Sequence, residues 1–232
     1  MNRALTAIGL LIKSVFSTET RQERFRRYAL TNRWRNRETV SGPGSTIEYT
    51  ENLRSELPRL LEKYEVRTML DAPCGDYNWM QLVERPGVRY VGGDIVPEFV
   101  DANNARYADE NTRFILCDIL RDELLPVDLW VCRDVLFHFP YADIFQTLSN
   151  LFRSDVTYIL TTDHPEQGAN TDSRIGEFRP LNMKREPFCF PEPVMWIDDW
   201  IDGYPVRRMG LWDVNALRTA VVQNAEYQRA IA

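Results

Sequence analysis

Apolar residues follow two rhythms along this chain. Leu53, Leu57, Leu60, Leu61 and Tyr64 recur at helical spacing, with Pro58 starting the firmer part of the predicted helix. From residue 67 onward, short and nearly continuous apolar runs alternate with amphipathic stretches. The runs predict strands over 67–71, 90–95, 114–118, 129–132 and 157–161. Helices are predicted between them over 79–84, 97–107 and 141–152, the last with Ile144, Phe145, Leu148, Leu151 and Phe152 on one face. Apolar strands alternating with helices give an α/β fold, a mostly parallel twisted sheet with helices on both faces.

After the fifth strand the rhythm breaks. Residues 164–193 are polar and punctuated by proline, yet they carry Phe178, Leu181, Phe188 and Phe190. A long loop of this kind inside a compact domain is read as an ordered lid. A further strand is predicted over 205–213 and a last helix over 214–231. The expected organisation is a helical basic N-terminal segment and loop over 1–45, then one domain over 46–232.

Charge sharpens this division. Residues 1–37 hold nine Arg/Lys against two acids, a balance of +7 in a chain whose total is −6. The remainder at −13 is not built to coat nucleic acid, so none is expected as a partner. The apolar stretch from Ala4 to Phe16 is interrupted by Lys13 and is too short to span a bilayer. No small-x-small cleavage site follows it, so a cytoplasmic protein is expected. A contact of residues 1–37 with a partner or the inner membrane surface stays open. The four cysteines, Cys74, Cys117, Cys132 and Cys189, form no Cys-x-x-Cys or Cys-x-x-His pair, so no metal site is expected.

The densest chemistry follows the first strand, in Asp71-Ala-Pro-Cys-Gly-Asp-Tyr-Asn-Trp79. A strand that ends at a carboxylate and turns through glycine holds adenosine-containing ligands at the carboxyl edge of an open sheet. Asp94 ends the second predicted strand, where a carboxylate can accept hydrogen bonds from both ribose hydroxyls. Asp118 ends the third. Taken singly, each acid is a helix cap as readily as a ligand. A nicotinamide cofactor requires Gly-x-Gly-x-x-Gly at the first turn. Here Cys74-Gly75-Asp76-Tyr77-Asn78 is bulky and acidic, and it would repel a pyrophosphate. A sulfonium tolerates that turn.

On these residues, the stretch from Thr46 to Thr162 resembles the class I S-adenosylmethionine (SAM)-dependent methyltransferases. The family commonly carries Asp/Glu-x-Gly-x-Gly-x-Gly after the first strand, and Pro73 and Tyr77 depart from it. The resemblance implies a Rossmann-like class I methyltransferase fold with SAM as cofactor. It implies cofactor contacts from Asp71, Pro73, Cys74, Gly75, Asp76, Asn78, Trp79, Asp94, Ile95, Asp118, Ile119, Arg133 and Asp134. Asp118 would read the adenine amino group, flanked by Ile95 and Ile119. The chain is also similar to bacterial methyltransferases associated with surface glycans.

The only two histidines, His138 and His164, follow predicted strands four and five on the same edge. His164, His138 and Asp163 are the candidate bases for removing a hydroxyl proton. Asn170, Asp172, Arg179 and Asn182 form a polar set suited to a polyol or anionic acceptor. The expected reaction is O-methylation of a small-molecule or carbohydrate hydroxyl. The alternatives are N-methylation, a phosphorylated or lipid-linked glycan acceptor, and a non-catalytic SAM-binding scaffold. A homodimer through Trp196, Trp200 and Tyr204 is left open.

Overall fold

The computed structural model describes residues 19–232. The Ala4–Phe16 stretch lies outside them. Six helices are described: α1 (Arg21–Leu30), α2 (Glu51–Lys63), α3 (Pro97–Tyr107), α4 (Tyr141–Leu151), α5 (Val214–Val221) and α6 (Ala225–Ile231). The strands are β1 (Thr68–Asp71), β2 (Arg89–Asp94), β3 (Thr112–Leu116), β4 (Leu129–Cys132), β5 (Tyr158–Asp163), β6 (Met195–Asp198) and β7 (Arg208–Asp213). They form one sheet in the order β3-β2-β1-β4-β5-β7-β6. Pairing is parallel from β3 to β5. β7 runs antiparallel to both β5 and β6.

Strand side chains alternate between two apolar layers, as the pleat requires. Leu70, Trp130, Cys132, Ile159 and Trp212 enter one layer, with Ile144, Phe145 and Leu148 of α4 and Leu217 of α5. Met69, Leu129, Val131, Leu160 and Leu211 enter the other, with the leucines of α2 and Val100 of α3. Both faces of the sheet are thereby covered, so its carboxyl edge is left for a ligand.

Several boundaries differ from the sequence reading. Pro58 lies inside α2, because the buried stripe of Leu53, Leu57, Leu60 and Leu61 outweighs the lost hydrogen bond. The helix expected over 79–84 is a single 3₁₀ turn, Met80–Leu82. β3 stops at Leu116, so Asp118 lies in the following loop. β6 was not anticipated; it is an edge strand that buries only Ile197 and leaves no periodic signal. The last helix divides at Asn224, whose side chain accepts from Glu226 N and starts α6.

Residues 164–193 contain neither helix nor strand beyond Asp163 and before β6. Leu181, Met183, Phe188 and Phe190 are buried in the layer that holds α4. These four side chains of the segment thus belong to the core. The lead segment docks on the carboxyl edge instead. Thr20 and Glu23 form a reciprocal capping box that starts α1. Arg21 then reaches Asp118 at 3.0 Å and Asp143 at 3.6 Å, while Arg26 reaches Glu98 at 2.5 Å. Arg21 and Arg26 are therefore matched to acids of the remainder. No helix among the described residues is long and apolar enough to cross a membrane.

Candidate functional site

The turn after β1 is held by two acids. Gly75 takes a positive φ of +55° and donates its N–H to Asp94 Oδ2 at 2.9 Å. Val96 N donates to Asp94 Oδ1, also at 2.9 Å, so one carboxylate joins the ends of β1 and β2. Burial pushes the Asp94 carboxyl up to about 6. Asp71 is buried too, and its carboxyl is pushed up to about 7 even though Tyr90 donates to it at 2.7 Å. Asp76 accepts from Thr39 Oγ1, Val40 N and Ser41 Oγ, clamping residues 39–41 over the same turn.

Tyr77 explains how the turn departs from the glycine-rich pattern. Its ring points away from the carboxyl edge into a cluster with Tyr90, Tyr107 and Phe114, at centroid distances of 5.0–5.2 Å. Its bulk therefore fills the core and not the ligand space.

Above this turn lies a cavity that opens to solvent. Of the predicted cofactor residues, Asp71, Pro73, Cys74, Gly75, Asp76, Trp79, Asp94, Ile95, Asp118, Ile119, Arg133 and Asp134 line it. His138 lines its β4 end. The other predicted residues are placed elsewhere. Asn78 is turned back to the lead segment, donating to Glu38 and to Ser45 O.

Asp163 accepts from Met183 N at 2.7 Å and faces a separate small recess with Lys184 and Arg208. His164 is 2% exposed, accepts from Leu181 N at Nδ1, and packs on Phe137 and Phe178. Burial lowers its pKa to about 4. Neither residue is brought to the cavity, because backbone groups of the 164–193 segment claim both.

The polar set expected at an acceptor is bonded outside the cavity, with Arg179 and Asn182 buried, Asn170 half-buried and Asp172 exposed. Asn170 and Asn182 bind each other and four backbone carbonyls of their own segment, Asn182 O among them. Asp172 accepts from Tyr141 N and caps α4. Arg179 donates to Thr171 O and Leu136 O and lies over the Tyr141 ring. Irregular backbone packed in a core must satisfy its polar groups, and these side chains do so.

The lead segment supplies a wall, and the sequence reading missed its Arg21, Phe25, Tyr28 and Trp34. The signal available was the aromatic spacing of Phe25 and Tyr28 behind a Thr20-Glu23 capping box. Trp34 stands edge-on to His138 at 5.6 Å and to Tyr28 at 4.9 Å. His138 Nδ1 is 3.4 Å from Glu177 O. A carbonyl can only accept, so Nδ1 carries the hydrogen and Nε2 keeps its lone pair. Burial lowers the His138 pKa to about 4, with Asp134 opposing.

A buried charge network closes the β4 end. Asp199 accepts from Arg133 Nε and Nη2, both at 3.0 Å, and pairs with Arg207 at 3.2 Å. Arg207 also reaches Asp134 at 2.8 Å, and Arg133 donates to Gly44 O. Against the effect of burial, Arg133 and Arg207 hold the Asp134 carboxyl below its ordinary value.

No family profile and no curated protein matches the sequence. Solved structures do match the fold. The chain is similar to the methyltransferase domain of a bacterial Hen1, at TM-score 0.54 and 12% identity, over 71% of this chain and 99% of that one. It is similar to magnesium protoporphyrin IX methyltransferase of Synechocystis with bound SAM, at TM-score 0.55 and 15% identity, over 84% and 97%. Human N-acetylserotonin methyltransferase in complex with SAM matches at TM-score 0.51 and 15% identity, over 91% and 67%. The chain has the Rossmann-like fold of the class I SAM-dependent methyltransferases.

Proposed function

We propose that this protein is an enzyme that binds SAM in the cavity and methylates a hydroxyl of a small-molecule acceptor. One observation carries the reading: the Gly75 turn, Asp94 and Asp118 line the same cavity as His138. The donor set suits SAM. Asp94 keeps a free lone pair on each oxygen for the ribose hydroxyls, and Asp118 with Ile95 and Ile119 would hold the adenine. Five aspartates against Arg21 and Arg133 make the wall acid-rich, which suits a cation and opposes a pyrophosphate.

Bound there, SAM supplies a methyl group made electrophilic by its sulfonium. The protein's part is alignment, exclusion of water and proton removal. His138 is neutral near pH 7, and its Nε2 lone pair takes the acceptor's proton as the oxygen attacks. Asp134 then stabilises the imidazolium, since its charge favours protonated His138. A carbohydrate hydroxyl is the finer expectation, but none of the side chains assigned to it lines the cavity; they are bonded to the backbone of their own segment and of its neighbours. The hydroxyl is kept in the proposal and the sugar is not. N-methylation is the second reading, because an acid-rich wall also suits an amine.

Isothermal titration with SAM, and separately with NADH, tests the cofactor. SAM binding that is lost in Asp94→Ala is expected, and NADH binding in its place would overturn the reading. With a hydroxyl acceptor, His138→Ala should lower the release of S-adenosylhomocysteine by about 10²–10⁴-fold. Unchanged turnover would remove His138 from the proton transfer.

A further inference from the structure

Two glycines on separate loops seat the aromatic pair above His138. Gly42 has φ +98°, and a Cβ there would collide with the Trp34 ring at its Cδ1 edge. Gly176 has φ +83°, and a Cβ there would meet the Tyr28 ring edge and hydroxyl at 2.8 Å. Gly176 N also donates to His138 O at 2.7 Å, so the loop that receives Tyr28 is tied to the candidate base. Neither glycine tolerates a side chain, and the rings they admit line the cavity while only half-buried.

The surroundings narrow what can stack there. The rest of this end is apolar: Phe25, Ala29, Val135 and Phe139. Both cavity arginines are committed, Arg133 to Asp199, Asp134 and Gly44 O, Arg21 to Asp118 and Asp143. A phosphate or carboxylate would find no spare cation and would face Asp134. A polyol would leave most of its hydroxyls unpaired against apolar side chains.

We infer that Trp34 is a specificity-determining residue and that the acceptor is an uncharged aromatic alcohol. Its ring stacks in the Tyr28–Trp34 corner and its oxygen faces His138. The inference rests on the methyl-transfer reading above.

The test uses the full chain loaded with S-adenosylhomocysteine, and 2-naphthol as the probe. Calorimetry first measures S-adenosylhomocysteine binding to the wild type, Trp34→Phe and Trp34→Ala. Affinity within threefold across the three shows folded proteins with intact cofactor sites, and a larger loss in Trp34→Ala overturns the assignment of Trp34 to the acceptor and gives it to the cofactor. Failure of the wild type to bind it would overturn the methyl-transfer reading and this inference together. Titration of the loaded proteins with 2-naphthol should then show saturable binding in the wild type. About tenfold weaker binding is expected in Trp34→Ala, with Trp34→Phe intermediate because it keeps a smaller ring to stack on. Equal 2-naphthol binding in all three, or none in the wild type, overturns the role of Trp34 while leaving cofactor binding intact. Binding of methyl glucoside or glucose 6-phosphate in preference to 2-naphthol overturns the acceptor class.

Discussion

Single carboxylates and imidazoles in this protein differ by what claims them. Asp94 and Asp163 both end parallel strands, and both are buried. Asp94 faces the cavity with lone pairs to spare, whereas Met183 N occupies Asp163 from the core segment. His138 and His164 are separated in the same way. Equivalent residue types at equivalent strand ends therefore have different chemistry, which no local pattern distinguishes. The raised pKa of Asp94 gives a pH signature. Its folded value of about 6 lies above the ordinary 3.8, so the carboxyl gains a proton as pH falls through about 6. A protonated carboxyl accepts fewer hydrogen bonds, so SAM affinity should weaken between pH 8 and pH 5. Calorimetry across that range checks this against Asp94→Asn. A profile equally steep in Asp94→Asn would show that another group governs it.

At the scale of elements, α1 and residues 39–45 form the cover of the cavity. They are held by contacts remote in sequence: Arg21 to Asp118, Gln22 to Ile95 O, Arg24 to Ile175 O, and Thr39–Ser41 to Asp76. The strongest local tie is Asp76, which accepts three donors from residues 39–41. Asp76→Ala should free this cover without disturbing the sheet. Faster hydrogen exchange over 39–45 and faster SAM dissociation are the expected outcomes. Protection unchanged from wild type would show that the arginine pairs alone hold the cover. The segment 164–193 has the complementary fate. Its aromatics were visible in the sequence, but whether they cover a ligand or a core depends on where the chain crosses the sheet.

At the scale of the whole molecule, the four-charge network joins three distant regions. Arg133 and Asp134 follow β4, Asp199 follows β6, Arg207 precedes β7, and Gly44 belongs to the cover. Removing one partner strands a buried charge, which costs about 3–5 kcal/mol. Asp199→Ala should therefore lower Tm by about 10 °C for a chain of this size. Scanning calorimetry checks this, and a change under about 2 °C would show that Arg133 and Arg207 find other partners.

The sequence by itself determined the repeating strand–helix order, the parallel sheet, and the acid series Asp71, Asp94 and Asp118. Each is a property of local periodicity or of an acid at or within two residues of a strand's end, so it is legible within a dozen positions. The tertiary structure alone decided which edge residues reach the cavity. It sent Tyr77 into an aromatic core, His164 and Asp163 to the 164–193 backbone, and Trp34 to His138. These outcomes depend on contacts between residues tens to more than a hundred positions apart, where burial and backbone hydrogen bonding compete for the same side chains. A sequence pattern shows what each residue can do, and packing selects which of those roles it has room to perform.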